Sequence, residues 1–165
     1  MRIIRNKNFN RHQSEVENWS SAFVERCRER GIRLTPQRLA VYRALVEDLT
    51  HPTAETLFAR LRETVPGMSQ ATVYRTLESL EKQGLIRRVS APEAKGRFDA
   101  NIENHQHLVC RVCGSLADVT LPSLTKSKLP EVQGFTIEEV DVRLVGLCKD
   151  CAKAKPKARL KSLRN

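Results

Sequence analysis

The stretch SQATVYRTLESLEKQGLIRRV, residues 69–89, decides the fold. Ser69 is a typical helix N-cap, and Gly84 predicts the end of the helix that follows. The apolar side chains of that helix recur three or four residues apart, which is the spacing of one buried face. They are Val73, Leu77 and Leu80. Residues 85–89 and 97–99 then resemble two short strands, so the segment predicts a winged helix-turn-helix.

Three further helices are predicted upstream of this segment. The first has an apolar face that begins at Val16 and stops at Gly31. The second follows the capping pair Thr35-Pro36, and Thr53 caps a short third helix. Residues 1–15 are polar and basic without an apolar period, and we expect a flexible arm there.

Beyond residue 100 the chain changes character, and a small α+β unit is predicted. Residues 107–110 and 116–119 are strand-like, and Leu121-Pro122 opens a short helix. A further strand is expected from Gly134 to Val145. The fold class is therefore α+β, with a helical N-terminal domain and a smaller C-terminal one.

The net charge favours a polyanionic partner. Lys and Arg number 29 against 19 Asp and Glu, which gives a formal charge of +10 at pH 7. A basic surface attracts nucleic acid, whereas the chain lacks the run of about 18 apolar residues that would indicate a membrane span. Its basic start also lacks the apolar core of a secretory signal. We expect a soluble, cytoplasmic protein that binds double-stranded DNA.

The outward face of the fourth helix carries side chains suited to DNA. Arg75 can bind guanine through both arms of its guanidinium, Tyr74 can contact a thymine methyl group, and Thr72 can hold a phosphate. The full set of predicted DNA contacts adds one helix residue and two wing residues: Gln70, Arg87 and Arg88. The alternative is a surface helix of an ordinary bundle whose arginine is merely solvated.

Four of the five cysteines form two Cys-x-x-Cys pairs. These are Cys110 with Cys113 and Cys148 with Cys151. Four thiolates are the soft, tetrahedral ligand set of a closed structural zinc site, and this is the favoured interpretation. Redox pairs or unbound buried thiols are the alternatives, although a redox pair normally occurs once, at a helix start. The remaining Cys27 lies on the apolar face of the first helix and is expected to be inert core.

Nitrogen and oxygen donors surround the first cysteine pair. His105 and His107 are two residues apart and point the same way on a strand, while Asp99 precedes them and Asp118 follows. Such a mixed set suits iron(II), manganese(II) or zinc rather than a thiophilic ion alone. Solvated side chains without a metal are the alternative interpretation.

Several motifs together resemble the ferric uptake regulator (Fur) superfamily of bacterial metal-dependent repressors. They are RLTPQR at residues 33–38, HPTAE at 51–55, SQATVYR at 69–75, RFD at 97–99, HQH at 105–107 and both Cys-x-x-Cys pairs. The resemblance covers about residues 20 to 155 and implies a homodimer that binds a DNA operator. It also implies a winged-helix domain joined by a hinge to a dimerisation domain with the four-cysteine zinc.

On that resemblance the chain divides into five parts. They are a basic arm at residues 1–15, a winged-helix DNA-binding domain at 16–98, a hinge at 99–106, a dimerisation and zinc domain at 107–155, and a basic tail at 156–165.

Within the superfamily the sequence is most similar to the peroxide-responsive branch. The ligands of that branch's regulatory iron(II) or manganese(II) correspond here to His51, Asp99, His105, His107 and Asp118. The resemblance implies that hydrogen peroxide, reduced at bound iron, converts His51 or His105 to 2-oxo-histidine, so that metal and DNA are released. Because manganese does not readily do this chemistry, the manganese form should be insensitive.

Other functions stay open on the sequence. Iron-sensing relatives carry a longer His-rich run near His105, a Glu in place of Asp118 and a His near Val140, none of which is present. A repressor that senses iron or zinc availability is nevertheless the first alternative. A metal-dependent hydrolase lacks an evident general base, and we do not expect an enzyme. An architectural protein that binds nucleic acid by charge alone is the last alternative.

Overall fold

The computed structural model describes residues 2–3, 12–89, 96–121, 134 and 142–154. The chain divides into two compact units. The first, called the helical unit, is Arg5–Glu103. The second, called the sheet unit, combines Met1–Ile4 with Asn104–Asn165. This division lies inside the predicted hinge at 99–106, but the ends of that hinge already belong to strands in each unit.

The described residues of the helical unit form four helices followed by a hairpin. The helices are α1 (Gln13–Glu29), α2 (Pro36–Glu47), α3 (Ala54–Leu61) and α4 (Gln70–Lys82). The predicted caps are confirmed, because the hydroxyl oxygens of Thr35, Thr53 and Ser69 each accept a hydrogen bond from a first-turn backbone N–H. Helix α1 begins at Gln13 rather than near Val16, because the Glu15 carboxylate accepts from the His12 backbone N–H at 3.3 Å.

The core of the helical unit is apolar and includes a stacked aromatic pair. The Phe23 ring from α1 stacks on the Tyr42 ring from α2, with centroids 3.8 Å apart and planes 9° from parallel. The predicted inward face of α4 is fully buried in the same core, as is the lone cysteine of α1. These residues are Val73, Leu77, Leu80 and Cys27. Their burial leaves the opposite face of α4 at the surface.

The hairpin pairs β2 (Arg87–Val89) with β3 (Arg97–Asp99) in antiparallel register. The first strand is shorter than the predicted 85–89. Leu85 and Ile86 are buried in the core instead, and the Leu85 backbone N–H donates to the Leu80 carbonyl at the end of α4. Most of the predicted hairpin tip lies outside the described residues.

The described residues of the sheet unit form a sheet of four strands. Its strands are β1 (Arg2–Ile3), β4 (Gln106–Cys110), β5 (Leu116–Thr120) and β6 (Arg143–Gly146), and helix α5 (Lys149–Ala154) follows. The strands lie in the order β1-β5-β4-β6, and β4 pairs antiparallel with β5 and parallel with β6. The helix predicted from Pro122, most of the strand predicted from Gly134 and the tail at 156–165 lie outside the described residues.

The expectation of a flexible arm over residues 1–15 is wrong at both of its ends. Arg2 and Ile3 pair antiparallel with Thr120 and Val119 on the edge of β5, and helix α1 already includes Gln13. No described helix has the length and hydropathy needed to span a membrane.

Candidate metal centres and nucleic-acid interface

The two cysteine pairs converge at one end of the sheet unit. Cys110 ends β4, Cys113 lies in the following turn, and Cys148 and Cys151 lie at the start of α5. The four Sγ atoms all lie within 4.8 Å of one another, and those of Cys113 and Cys148 are 3.8 Å apart. A turn can bring the first pair together because Gly114 has φ +70°, which suits glycine.

The four sulfurs fit a tetrahedral zinc ion. Zinc–sulfur bonds of about 2.3 Å place the corners of a tetrahedron roughly 3.8 Å apart, which matches the Cys113–Cys148 separation. Backbone N–H groups also point at the sulfurs: the amide of Cys148 lies 3.3 Å from Cys110 Sγ and that of Cys151 lies 3.4 Å from Cys148 Sγ. Such amides stabilise thiolate charge, as metal ligands require.

The thiols influence one another's ionisation strongly. Backbone hydrogen bonds from residues 113, 148 and 112 lower the pKa of Cys110 to about 5. Hydrogen bonds with Cys148 and Cys113 raise the pKa of Cys151 to about 12. The pKa of Cys113 is lowered as well, chiefly by its hydrogen bond with the Ser115 hydroxyl. Thiols packed this closely ionise as a coupled set rather than one by one.

A second donor set lies in the same unit, where β4 pairs with β5. His107 is opposite Asp118 in the antiparallel register, and His105 precedes β4 on the same side. The Nε2 atoms of the two histidines are 3.0 Å apart, and Asp118 Oδ1 lies 3.6 Å from His105 Nε2 and 3.7 Å from His107 Nε2. Metal–nitrogen bonds of about 2.1 Å place adjacent ligands roughly 3.0–3.4 Å apart. The separation of the two Nε2 atoms lies in that range, and the two separations from Asp118 Oδ1 are slightly longer, so the three side chains are close enough to approach one ion.

The helical unit carries its own pair of donors. His51 and Asp99 are almost completely buried, with 3.7 Å between His51 Nε2 and Asp99 Oδ2. His51 has φ +57°, an unusual backbone conformation for a residue other than glycine. Strain of this kind persists only where neighbouring contacts enforce it, and it is concentrated at functional sites.

The contacts that enforce it come from β3. The Phe98 backbone N–H donates to the Pro52 carbonyl at 3.1 Å, and the Arg97 guanidinium donates to the carbonyls of Thr50 and His51 at 3.4 and 3.3 Å. Arg97 also forms an isolated bridge with Thr53. The strand that carries Asp99 therefore holds the segment that carries His51. From the sequence, Arg97 was predicted only as part of the second hairpin strand and of the RFD motif, so this role was not predicted.

The outer face of α4 presents the predicted DNA contacts. Gln70, Tyr74 and Arg75 are exposed, and Thr72 is half-buried beside the Ser69 hydroxyl. The Tyr74 hydroxyl donates to a Glu55 carboxylate oxygen at 2.9 Å, which joins α4 to the first turn of α3. This role of Glu55 was not predicted from the sequence, since nothing in the local pattern relates Glu55 to Tyr74.

The two arginines predicted as wing contacts to DNA, Arg87 and Arg88, both form hydrogen bonds within the helical unit. The Arg87 guanidinium donates to the carbonyls of Ile102 and Glu103, and the Arg88 guanidinium binds the Glu81 carboxylate. Sequence analysis also missed Glu81, which lies on α4.

The ferric uptake regulator family model matches residues 29–145, which is well over half of the chain. The chain belongs to the ferric uptake regulator family. The matched region includes the His and Asp donors of both units, whereas Cys148 and Cys151 lie beyond it. The case for the complete thiol cluster of this Fur-family chain therefore rests on its geometry.

Among relatives of this Fur-family chain, the peroxide operon regulator of Bacillus subtilis is 34% identical over 132 residues, covering 79% of the chain and 91% of the relative. The peroxide-responsive repressor PerR of Staphylococcus aureus is 31% identical over 138 residues, covering 82% and 93%. A structure of the ferric uptake regulator from Pseudomonas aeruginosa with manganese has a TM-score of 0.64 and 25% identity, covering 76% of this chain and 97% of that one.

Proposed function

We propose that this protein is a metal-dependent, DNA-binding transcriptional repressor that leaves its operator when hydrogen peroxide oxidises it. The observation that carries the proposal is the nitrogen and oxygen donor set of the buried His105 and His107 with the half-buried Asp118, which is separate from the thiol cluster. The resemblance to relatives named as peroxide regulators, over about four fifths of the chain, supports it. We place its action in the cytoplasm.

The thiol cluster would hold a structural zinc ion. Four cysteines fill every position of a tetrahedral site, so no open position is left for a substrate or a signal. Closing the turn after β4 onto the start of α5 would fix the end of the sheet unit. Zinc at this position would therefore support the fold rather than respond to peroxide.

A second ion, iron(II) or manganese(II), would be the regulatory one. We propose His51 and Asp99 from the helical unit, and His105, His107 and Asp118 from the sheet unit, as its ligands. Three imidazoles with two carboxylates are a donor set that iron(II) and manganese(II) accept, and manganese accompanies the related Pseudomonas aeruginosa structure. An ion that takes ligands from both units would select one arrangement of the units, and DNA would bind that arrangement.

The chain's own residues would prepare this switch. Arg97 and Phe98 hold the His51 segment on β3, and the Asp99 carboxylate accepts from the Asn101 backbone N–H at 2.8 Å. Bound iron(II) would catalyse the reaction of hydrogen peroxide with a ligand histidine: one peroxide oxygen would add to a ring carbon, which is oxidised by two electrons, and the other would leave as water. Addition of oxygen to the His51 or His105 ring would remove a good nitrogen ligand. The ion would then dissociate, and the arrangement that binds DNA would no longer be selected.

Homodimers would place two α4 helices on successive major grooves. In the sheet unit, β6 is an edge strand of the described sheet, and Val145 and Val112 are 59% and 53% exposed. Apolar side chains at a sheet edge favour association with another copy. From the outward face of α4, we propose Gln70, Thr72, Tyr74 and Arg75 as DNA contacts.

The test is an operator-binding assay with iron(II) or manganese(II), before and after peroxide. The duplex is one that the manganese-loaded wild-type chain selects from a random-sequence pool. We expect binding to need metal, and peroxide to release DNA from the iron form only. Mass spectrometry of the same samples should find one added oxygen on the His51 or His105 peptide, while His12, an exposed histidine outside both donor sets, stays unmodified.

Two results would redirect the proposal. Metal-dependent binding that ignores peroxide would make the protein a sensor of iron or zinc availability. Sequence-indifferent binding that ignores chelators would make it an architectural protein.

A further inference from the structure

Arg88 forms a network of contacts that join the β2–β3 hairpin, here called the wing, to α4, the proposed DNA-reading helix. Its guanidinium donates from Nε and Nη2 to the two Glu81 carboxylate oxygens, at distances of 2.9 to 3.3 Å. Glu81 is in the last turn of α4, and Arg88 is in the middle of β2. A bidentate arginine–carboxylate pair fixes the orientation of the two side chains as well as their distance, whereas a lysine contact fixes only the distance.

The same side chain also contacts β3. The guanidinium carbon of Arg88 lies 4.9 Å from the centroid of the buried Phe98 ring, its partner in the strand register. A Cβ atom on Gly96 would come within 2.8 Å of Arg88 Nη1 and 3.2 Å of its Cδ, so glycine leaves the room in which Arg88 lies. The hydrogen bond that Arg88 donates to Glu81 also raises the pKa of Arg88.

These contacts join the DNA-reading helix to the strand that carries a proposed metal ligand. Asp99 follows Phe98 directly on β3, and Glu81 lies six residues beyond Arg75 on α4. The Arg88 side chain contacts both Glu81 and Phe98.

We propose that Arg88 is a positioning residue, which fixes the wing and β3 against α4 through Glu81 and Phe98 instead of contacting DNA. The inference rests on the proposed DNA binding and replaces the expectation that Arg88 touches the duplex. Its side chain is 47% exposed, so a phosphate contact is the competing role. The two roles predict opposite effects for a change at Glu81.

Glu81→Gln distinguishes the two roles, because they predict opposite changes in DNA affinity. If Arg88 positions the wing, Glu81→Gln removes half of the ion pair and weakens DNA binding, as Arg88→Gln does. If Arg88 contacts phosphate, Glu81→Gln removes a competing negative charge and strengthens binding. Arg88→Lys separates them too, because lysine keeps a charge for phosphate but cannot reproduce the bidentate pair.

The experiment uses the full-length, zinc-containing, manganese-loaded chain and the duplex selected by the wild type. We expect Arg88→Gln, Arg88→Lys and Glu81→Gln each to lower affinity by roughly three- to tenfold, with the double variant no worse than the singles. The slope of log affinity against log salt should stay at the wild-type value. A phosphate contact would instead lower that slope by about 0.9 for Arg88→Gln and leave Arg88→Lys near wild type.

Arg75→Gln is the matched control, since it makes the same chemical change on the exposed face of α4. Its loss of affinity should add to that of Glu81→Gln rather than merge with it. Near-wild-type affinity of Arg88→Lys, or tighter binding by Glu81→Gln, would overturn the inference.

Hydrogen exchange tests the inference without DNA. The Phe98 amide, which donates to Pro52, should lose protection at least threefold in Arg88→Gln and in Glu81→Gln, and keep it in Arg75→Gln. Unchanged protection in the first two variants would overturn the positioning role. If the wild type selects no duplex, the proposed function fails, and the exchange result alone decides the role of Arg88.

Discussion

Replacing Cys113 of the thiol cluster by alanine, Cys113→Ala, should unfold the sheet unit. The described part of that unit has few buried aliphatic side chains: Val109, Leu116 and Val119. Burying each contributes about 1.5–3 kcal/mol, so together they supply roughly 5–9 kcal/mol. A structural zinc ion contributes about 10–16 kcal/mol to folding in small domains, which exceeds the stabilisation from those three side chains. We therefore expect the described sheet to depend on the metal.

The assay combines zinc content with hydrogen exchange. In Cys113→Ala we expect zinc to fall from one ion per chain to near zero, and the amides of β4 and β5 to lose protection. The amides of α2 and α4 should keep theirs, since their core is in the helical unit.

Cys27→Ala is the control, because Cys27 is buried in α1 within the helical unit. The Cys27→Ala protein should retain one zinc ion per chain and wild-type amide protection in β4 and β5. A Cys113→Ala protein that retains one zinc per chain, with β4 and β5 still protected, would refute this reasoning.

Three further predictions concern the core, the second donor set and the reading helix. Phe23→Ala removes the ring that stacks on Tyr42 and should lower the free energy of unfolding of the helical unit by about 3–5 kcal/mol, measured by urea denaturation; a loss below about 1 kcal/mol would contradict the packing. His107→Ala should weaken manganese binding by at least roughly tenfold in a calorimetric titration while zinc content stays constant; equal loss of both metals would mean that the two sites are not independent. Glu55→Gln weakens the acceptor of the Tyr74 hydroxyl and should lower duplex affinity roughly two- to fivefold, whereas an increase would show that Glu55 acts only by repelling DNA.

The helices could be predicted from the sequence because their signals are local. Ser69, Thr53 and Thr35 cap helices where the apolar period begins, and a cap acts over only three residues. The inward face of α4 could be predicted for the same reason. The start of α1 was missed because its capping contact involves Glu15, which lies outside the apolar period.

Long-range contacts could not be predicted in this way. The pairing of Arg2 and Ile3 with β5 joins residues more than one hundred positions apart, and nothing in the polar arm indicates a strand partner. The Arg88–Glu81 pair depends on how the hairpin folds back along α4, so charge alone predicted a DNA contact. The cysteine pairs have a spacing that indicates their chemistry, whereas His51 joined the predicted ligands only through the family resemblance.

The most direct test of the central claim measures the coupling between metal and DNA in both directions. If one regulatory ion sets the DNA-binding arrangement, manganese should raise duplex affinity by the same factor by which the duplex raises manganese affinity. His51→Asn should reduce both factors to about one, since asparagine tolerates the left-handed backbone at this position but lacks the imidazole. His12→Ala should leave both factors at the wild-type value. Undiminished coupling in His51→Asn would contradict the account.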